Sequence, residues 1–121
     1  MIRVKRIYDP PSDDDGFRIL IDRLWPRGVS KTVARIDEWL KDVAPSEELR
    51  RWFHHEESRY AAFREKYRRE LRANQAAIEG ILARARSGRV TLVFAAHDPA
   101  HCNATVLHEL LEELSGAGRS R

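Results

Sequence analysis

With 121 residues, 42% of them hydrophobic and 34% charged, the chain is sized for one domain with its own hydrophobic core. Lys+Arg number 22 against 19 Asp+Glu, so the net charge of +3 and the isoelectric point of about 9.3 describe a mixed surface. That argues against a nucleic-acid partner, which needs clustered cations. A single cysteine, Cys102, excludes an internal disulfide framework and suits a reducing cytoplasm. No apolar run approaches a membrane span of roughly 20 residues, and MIRVKRIYDP lacks a signal-peptide core.

Taken in order, Ile2–Tyr8 alternates apolar and basic residues as a first strand. The prolines, the Asp13-Asp14-Asp15 cluster and Gly16 mark a loop. FRILID (Phe17–Asp22) is a second strand that ends in RLWPRG, where Pro26 keeps Trp25 extended. A short helical turn is expected at Ser30–Arg35, and Ile36–Val43 suits either a strand or a short helix. Ser46 caps a helix running to Phe53, and Ser58 is expected to cap another over Arg59–Ala73, with Tyr60, Phe63, Tyr67 and Leu71 along its inner stripe. Gln75–Arg86 is a further helix closed by Gly88. A buried strand, Thr91–Ala96, then feeds a last helix expected from Pro99 to Leu114, with Val106, Leu107, Leu110, Leu111 and Leu114 inward. The fold class this defines is α/β: a single domain over residues 1–115, a small central sheet flanked by helices, a strand–helix finish, and a loose tail at 116–121.

The chemistry concentrates in TLVFAAHDPAHCNATV, residues 91–106, because ligands of α/β sheets bind past the carboxyl ends of strands. Asp98-Pro99 reads as a helix start, which puts His101 and Cys102 in the first turn, where the helix dipole favours a thiolate. A phosphatase loop, Cys-x5-Arg, is excluded, since the sixth residue after Cys102 is His108 rather than arginine. His101 and His108 lie about 10 Å apart along a helix and cannot share one ion. No His-x3-His or Cys-x2-Cys spacing demands a metal. Arg23 and Arg27 flank Trp25 in a pattern suited to clamping a carboxylate or phosphate, with an ion pair from Arg23 to Asp22 or the 13–15 acids as the structural alternative. Tyr67 shares the apolar stripe with Phe63, and the arginines of its helix suit a solvated face. No glycine-rich loop follows the first strand, so no nucleotide cofactor is expected.

Several blocks occur in one fixed order: RIYDP at 6–10, DRLWPRG at 22–28, WLKDVAPS at 39–46, LRRWF at 49–53, then Phe63, Tyr67, Glu70-Leu71 and VTLVFAA at 90–96. Together they resemble the YeaO-like branch of the "domain of unknown function 488" family, from about Ile2 to Leu114. The resemblance implies a small cytoplasmic α/β domain, and it matches Arg23, Trp25, Arg27, His55, Tyr67, His101, Asn103 and Ala104 to family motif positions. It also suggests iron or another transition metal held by His and Tyr side chains. The chain departs from the family pattern at His54, where glycine is usual, and at Cys102, where asparagine is more common.

The leading expectation is therefore a binding domain whose cleft lies between the 23–28 loop and the 97–103 turn. Arg23, Trp25, Arg27 and Asn103 would contact a small anionic ligand. His55, Tyr67 and His101 would hold a mononuclear metal, iron favoured. Two alternatives stay open: a metal-free hydrolase or transferase with His101 as general base, and a non-catalytic interaction module using the basic helix.

Overall fold

The computed structural model describes residues 2–54, 56–98 and 101–116. Four strands, β1 (Ile2–Arg6), β2 (Phe17–Leu20), β3 (Glu38–Trp39) and β4 (Val90–Phe94), form an all-parallel sheet in the order β1-β4-β2-β3. The helices are α1 (Lys31–Ala34), α2 (Glu47–Phe53), α3 (Tyr60–Arg72), α4 (Gln75–Ser87) and α5 (Asn103–Leu114). This is the α/β architecture with the strand–helix finish that the sequence implies. The last strand inserts between the first two, with Ile2 and Phe17 both in register with Val90. All five residues of VTLVF are buried, as a central parallel strand covered on both faces requires.

Strand alternation divides the core in two. Ile19, Ile21, Val90, Leu92 and Phe94 face α2–α5 and join Phe53, Phe63, Tyr67, Ile81, Leu107 and Leu111 in the main core. Ile7, Leu20 and Val93 face the other way and are covered by Ala34, Trp25, Val29, Ile36 and Trp39. Trp25 and Trp39 meet edge to face at 5.5 Å, and their indole N–H groups donate to Val29 O and Asp22 O, each at 2.7 Å. The tryptophan of the DRLWPRG motif is thus bound into the second core.

The acidic run is a structural device. Asp13–Asp15 forms a 3-10 turn in which Ser12 Oγ accepts from Asp14 N–H and the Asp15 carboxylate accepts from Ser12 N–H. Asp15 is fully buried and pairs with Arg18 at 2.6 Å and Lys5 at 3.0 Å. Arg18 in turn donates to Ala34 O from Nε and Nη2. Burial alone would raise the Asp15 carboxyl, but hydrogen bonds from Lys5, Ser12 N–H and Arg18 outweigh it and hold the pKa below its ordinary value. Gly16 follows at φ +66°, where an added Cβ would stand 2.3 Å from Arg89 O.

Local signals placed most helix ends. Ser46 Oγ caps α2 through Leu49 N–H, and the Glu70 carboxylate of α3 takes Ser46 N–H at 2.8 Å, which ties the two helices together. Ser30 caps α1, and Gly88 closes α4. Four expectations are corrected. Ser58 is not an N-cap: it lies inside a 3-10 turn, Glu57–Arg59, and α3 starts at Tyr60 without a side-chain cap. The segment 36–43 is neither one strand nor one helix but the short β3 followed by a 3-10 turn, Lys41–Val43. The last helix starts at Asn103 with Cys102 as its N-cap, short of the start expected at Pro99, which lies outside the described residues. Leu114 is exposed, while Val106, Leu107, Leu110 and Leu111 are buried as expected. Among the described residues no helix is long and apolar enough to cross a membrane.

Candidate functional site

The carboxyl ends of β2 and β4 open into a cleft of about 510 Å³. Its lining comes from three places: Asp22, Arg23 and Leu24 past β2; Pro45, Arg50, Phe53 and Phe63 from the helical layer; and Ala95, Ala96, His97, Asp98, Cys102 and Asn103 past β4. This position follows from topology, since neighbouring parallel strands end together and their following segments diverge.

Asp22 holds the two strand ends in place. Its Oδ2 accepts from Ala95 N–H at 2.9 Å, and its Oδ1 accepts from Asn103 Nδ2 at 3.2 Å. Burial raises its pKa above the ordinary aspartate value, and the two hydrogen bonds offset only part of that rise. Arg23 is not paired with Asp22 or with the 13–15 acids. Its Nε and Nη2 donate to Pro45 O at 3.3 and 3.2 Å, while among the described residues Nη1 donates no hydrogen bond. Arg50, half exposed, reaches Glu47 only at 4.0 Å. Two guanidiniums thus line a hollow whose other walls include the stacked rings of Phe53 and Phe63, 4.4 Å apart.

The candidate residues separate into groups. Arg23 and Asn103 line the cleft. Trp25 lies in the second core and Arg27 is exposed, and neither lines the cleft. The chain turns out of the strand at Asp22, so residues close together in the motif end on different sides of the sheet. Tyr67 is fully buried and its hydroxyl donates to Val43 O. Burial lifts its pKa well above 10, so it offers no ready metal ligand. His55 lies outside the described residues, as does the tail beyond Gly116.

The tyrosine that does meet His101 is Tyr60, ring edge to face at 5.0 Å. Its hydroxyl is buried with no hydrogen-bond partner among the described residues. Burial first, then nearby Cys102 and Glu109, push its pKa up to about 12, so it stays a neutral phenol at physiological pH. His101 itself stands at the rim, with Nδ1 2.8 Å from Asp98 and 3.4 Å from Glu57. Ligand atoms of Glu57, Asp98 and His101 lie within 4.8 Å of one another. Cys102 is 3% exposed at the N-cap of α5, a core position rather than an open first-turn thiol. His108 is tied to Ile2 O at 2.9 Å, a structural role.

Asp22, Arg50, Phe53 and Glu57 were not singled out as site residues from the sequence. For Asp22 a signal existed: a carboxylate ending a buried apolar strand sits where α/β sites form. For the others only the packing of α2 and α3 against the strand ends brings them in.

A small parallel α/β domain with one cleft at its strand ends is the class that fold and geometry define. The chain belongs to the family described as "Inactive DUF488-N3 subclade", whose model matches residues 1–119. It is 43% identical over 113 residues to the uncharacterized protein YeaO of Escherichia coli K12, covering 93% of this chain and 98% of that protein. It is 44% identical over 112 residues to the uncharacterized protein Rv3073c of Mycobacterium tuberculosis H37Rv, covering 91% and 92%. The YeaO-like assignment reached from the DRLWPRG and WLKDVAPS blocks is therefore correct. No solved structure matches.

Proposed function

We propose that this protein is a cytoplasmic, non-catalytic binding domain for a small anionic molecule with an apolar body, held in the cleft at the ends of β2 and β4. The observation that carries the reading is the convergence of Arg23 and Arg50 on a hollow of about 510 Å³ walled by Phe53, Phe63, Leu24 and Pro45. Mostly apolar pockets with a few placed polar groups are what small-molecule sites look like, and arginine suits carboxylate and phosphate. The family description "Inactive" supports binding over turnover. His101, the candidate general base, stands at the rim and not among the cleft-lining residues, which favours binding over the hydrolase alternative. The interaction-module alternative loses cations, because Arg64 and Arg68 pair with Glu109 and Glu113 of α5.

The test is a thermal-shift screen of aromatic carboxylates and phosphorylated aromatic metabolites against wild type and Arg50→Ala. Arg50 makes no close ion pair, so its removal should change stability by no more than ~0.5 kcal/mol while weakening binding about tenfold or more. Hits that bind Arg50→Ala as well as wild type would reject the reading.

A metal remains a second reading, carried by a different ligand set from the one expected. Glu57, Asp98 and His101 offer two carboxylates and an imidazole at the rim, which suits a divalent first-row ion such as iron or manganese. Here His101→Ala should abolish metal uptake measured by elemental analysis after reconstitution, and equal metal in both proteins would exclude these ligands.

A further inference from the structure

Asp22 is a half-buried carboxyl that lines a cleft read as an anion site, and an anion site gains nothing from a like charge. Its two hydrogen-bond partners, Ala95 N–H and Asn103 Nδ2, are both neutral. No cation of the described residues forms an ion pair with it, and adjacent Arg23 gives Nε and Nη2 to Pro45 O instead. A carboxylate has about four lone-pair directions, so acceptor capacity remains on a side chain that lines the hollow. The charged lining is also balanced: Arg23 and Arg50 stand against Asp22 and Asp98, and the remaining titratable side chains of the lining are His97 and Cys102. Tyr67, fully buried, gives its hydroxyl proton to Val43 O and not to Asp22.

We infer that the ligand is amphoteric: besides its carboxylate or phosphate it carries a nitrogen donor, an ammonium or amidine N–H, that docks on Asp22. The inference rests on the cleft being the binding site. The donor pairs with a carboxylate partly shielded from water, and the anionic group meets Arg23 and Arg50. The apolar body lies against Phe53 and Phe63. Asp22 thereby sets specificity, since a ligand lacking the donor leaves a half-buried carboxylate facing an anion.

Three probes with one phenyl body separate the parts: L-phenylalanine carries both groups, phenethylamine only the amine, and 3-phenylpropionate only the carboxylate. Calorimetric titration of wild type should rank L-phenylalanine about tenfold or more above either partner. In Asp22→Asn the amino acid should fall to the level of 3-phenylpropionate, whose own binding holds or tightens. If 3-phenylpropionate matches L-phenylalanine in wild type, the donor inference fails and the anion reading stands. If none of the three binds, both fail. The wild-type ranking decides even where Asp22→Asn does not fold.

Discussion

Replacing Asp15 with alanine is expected to destabilise the protein by roughly 3–5 kcal/mol, the largest effect of any single charge removal here. The change strands Arg18, whose side chain is 4% exposed, without its 2.6 Å partner, and it leaves Ser12 N–H without its acceptor. Urea denaturation measures this directly, and Asp14→Ala is the control. Asp14 is 78% exposed in its side chain and should cost no more than about 0.5 kcal/mol. The pH dependence has a definite sign. Because the folded pKa of Asp15 lies below its ordinary value of 3.8, its contribution is present above that pH and is lost as pH falls through the folded pKa. The wild-type stability curve should therefore drop in acid more steeply than that of Asp15→Ala. Asp22 has the opposite sign. Burial raises its folded pKa, so its ionisation works against the fold, and stability from this group falls as pH rises through the range in which it loses its proton.

Phe63→Ala is expected to cost a similar amount, roughly 3–5 kcal/mol, by loss of a buried aromatic and the cavity it leaves. Phe63 is 2% exposed, stacks on Phe53 at 4.4 Å and meets the Tyr67 ring at 5.6 Å, so it joins α2 and α3 to the core. It also walls the cleft. Phe63→Leu keeps most of the volume and should cost only about 1 kcal/mol. Denaturation midpoints separate the two variants. If Phe63→Ala were as stable as Phe63→Leu, the aromatic stack would not be the link between the helices and the site.

The fold was legible where one residue's chemistry decides a local outcome. Ser46 ahead of two glutamates caps a helix, Gly88 ends one, and VTLVF cannot be anything but a covered strand. The site was legible as a place, past β2 and β4, but only partly as a set of side chains. Arg23, Trp25 and Arg27 share seven consecutive motif residues, yet the chain turns after Asp22 and sends Trp25 to the opposite face, which no spacing rule reports. Tyr60, Phe63 and Tyr67 share one helical stripe, so periodicity cannot say which tyrosine faces the rim; the docking of α3 on α5 decides for Tyr60. The start of the last helix was read too early: Cys102 is held in the core and Asn103 donates to Asp22, so the helix begins at Asn103. The role of the acidic run was hidden for the same reason, since Asp15 meets Lys5 only when β1 and the 3-10 turn come together.

The most direct test of the cleft reading is a ¹H–¹⁵N correlation titration of the labelled protein with L-phenylalanine and, in parallel, 3-phenylpropionate. The account predicts saturable shifts centred on the amides of Arg23, Ala95, Ala96 and Asn103, the segments that line the hollow. Shifts confined to the outer face of α3, around Arg69 and Arg72, or no saturable shift at millimolar ligand, would contradict it.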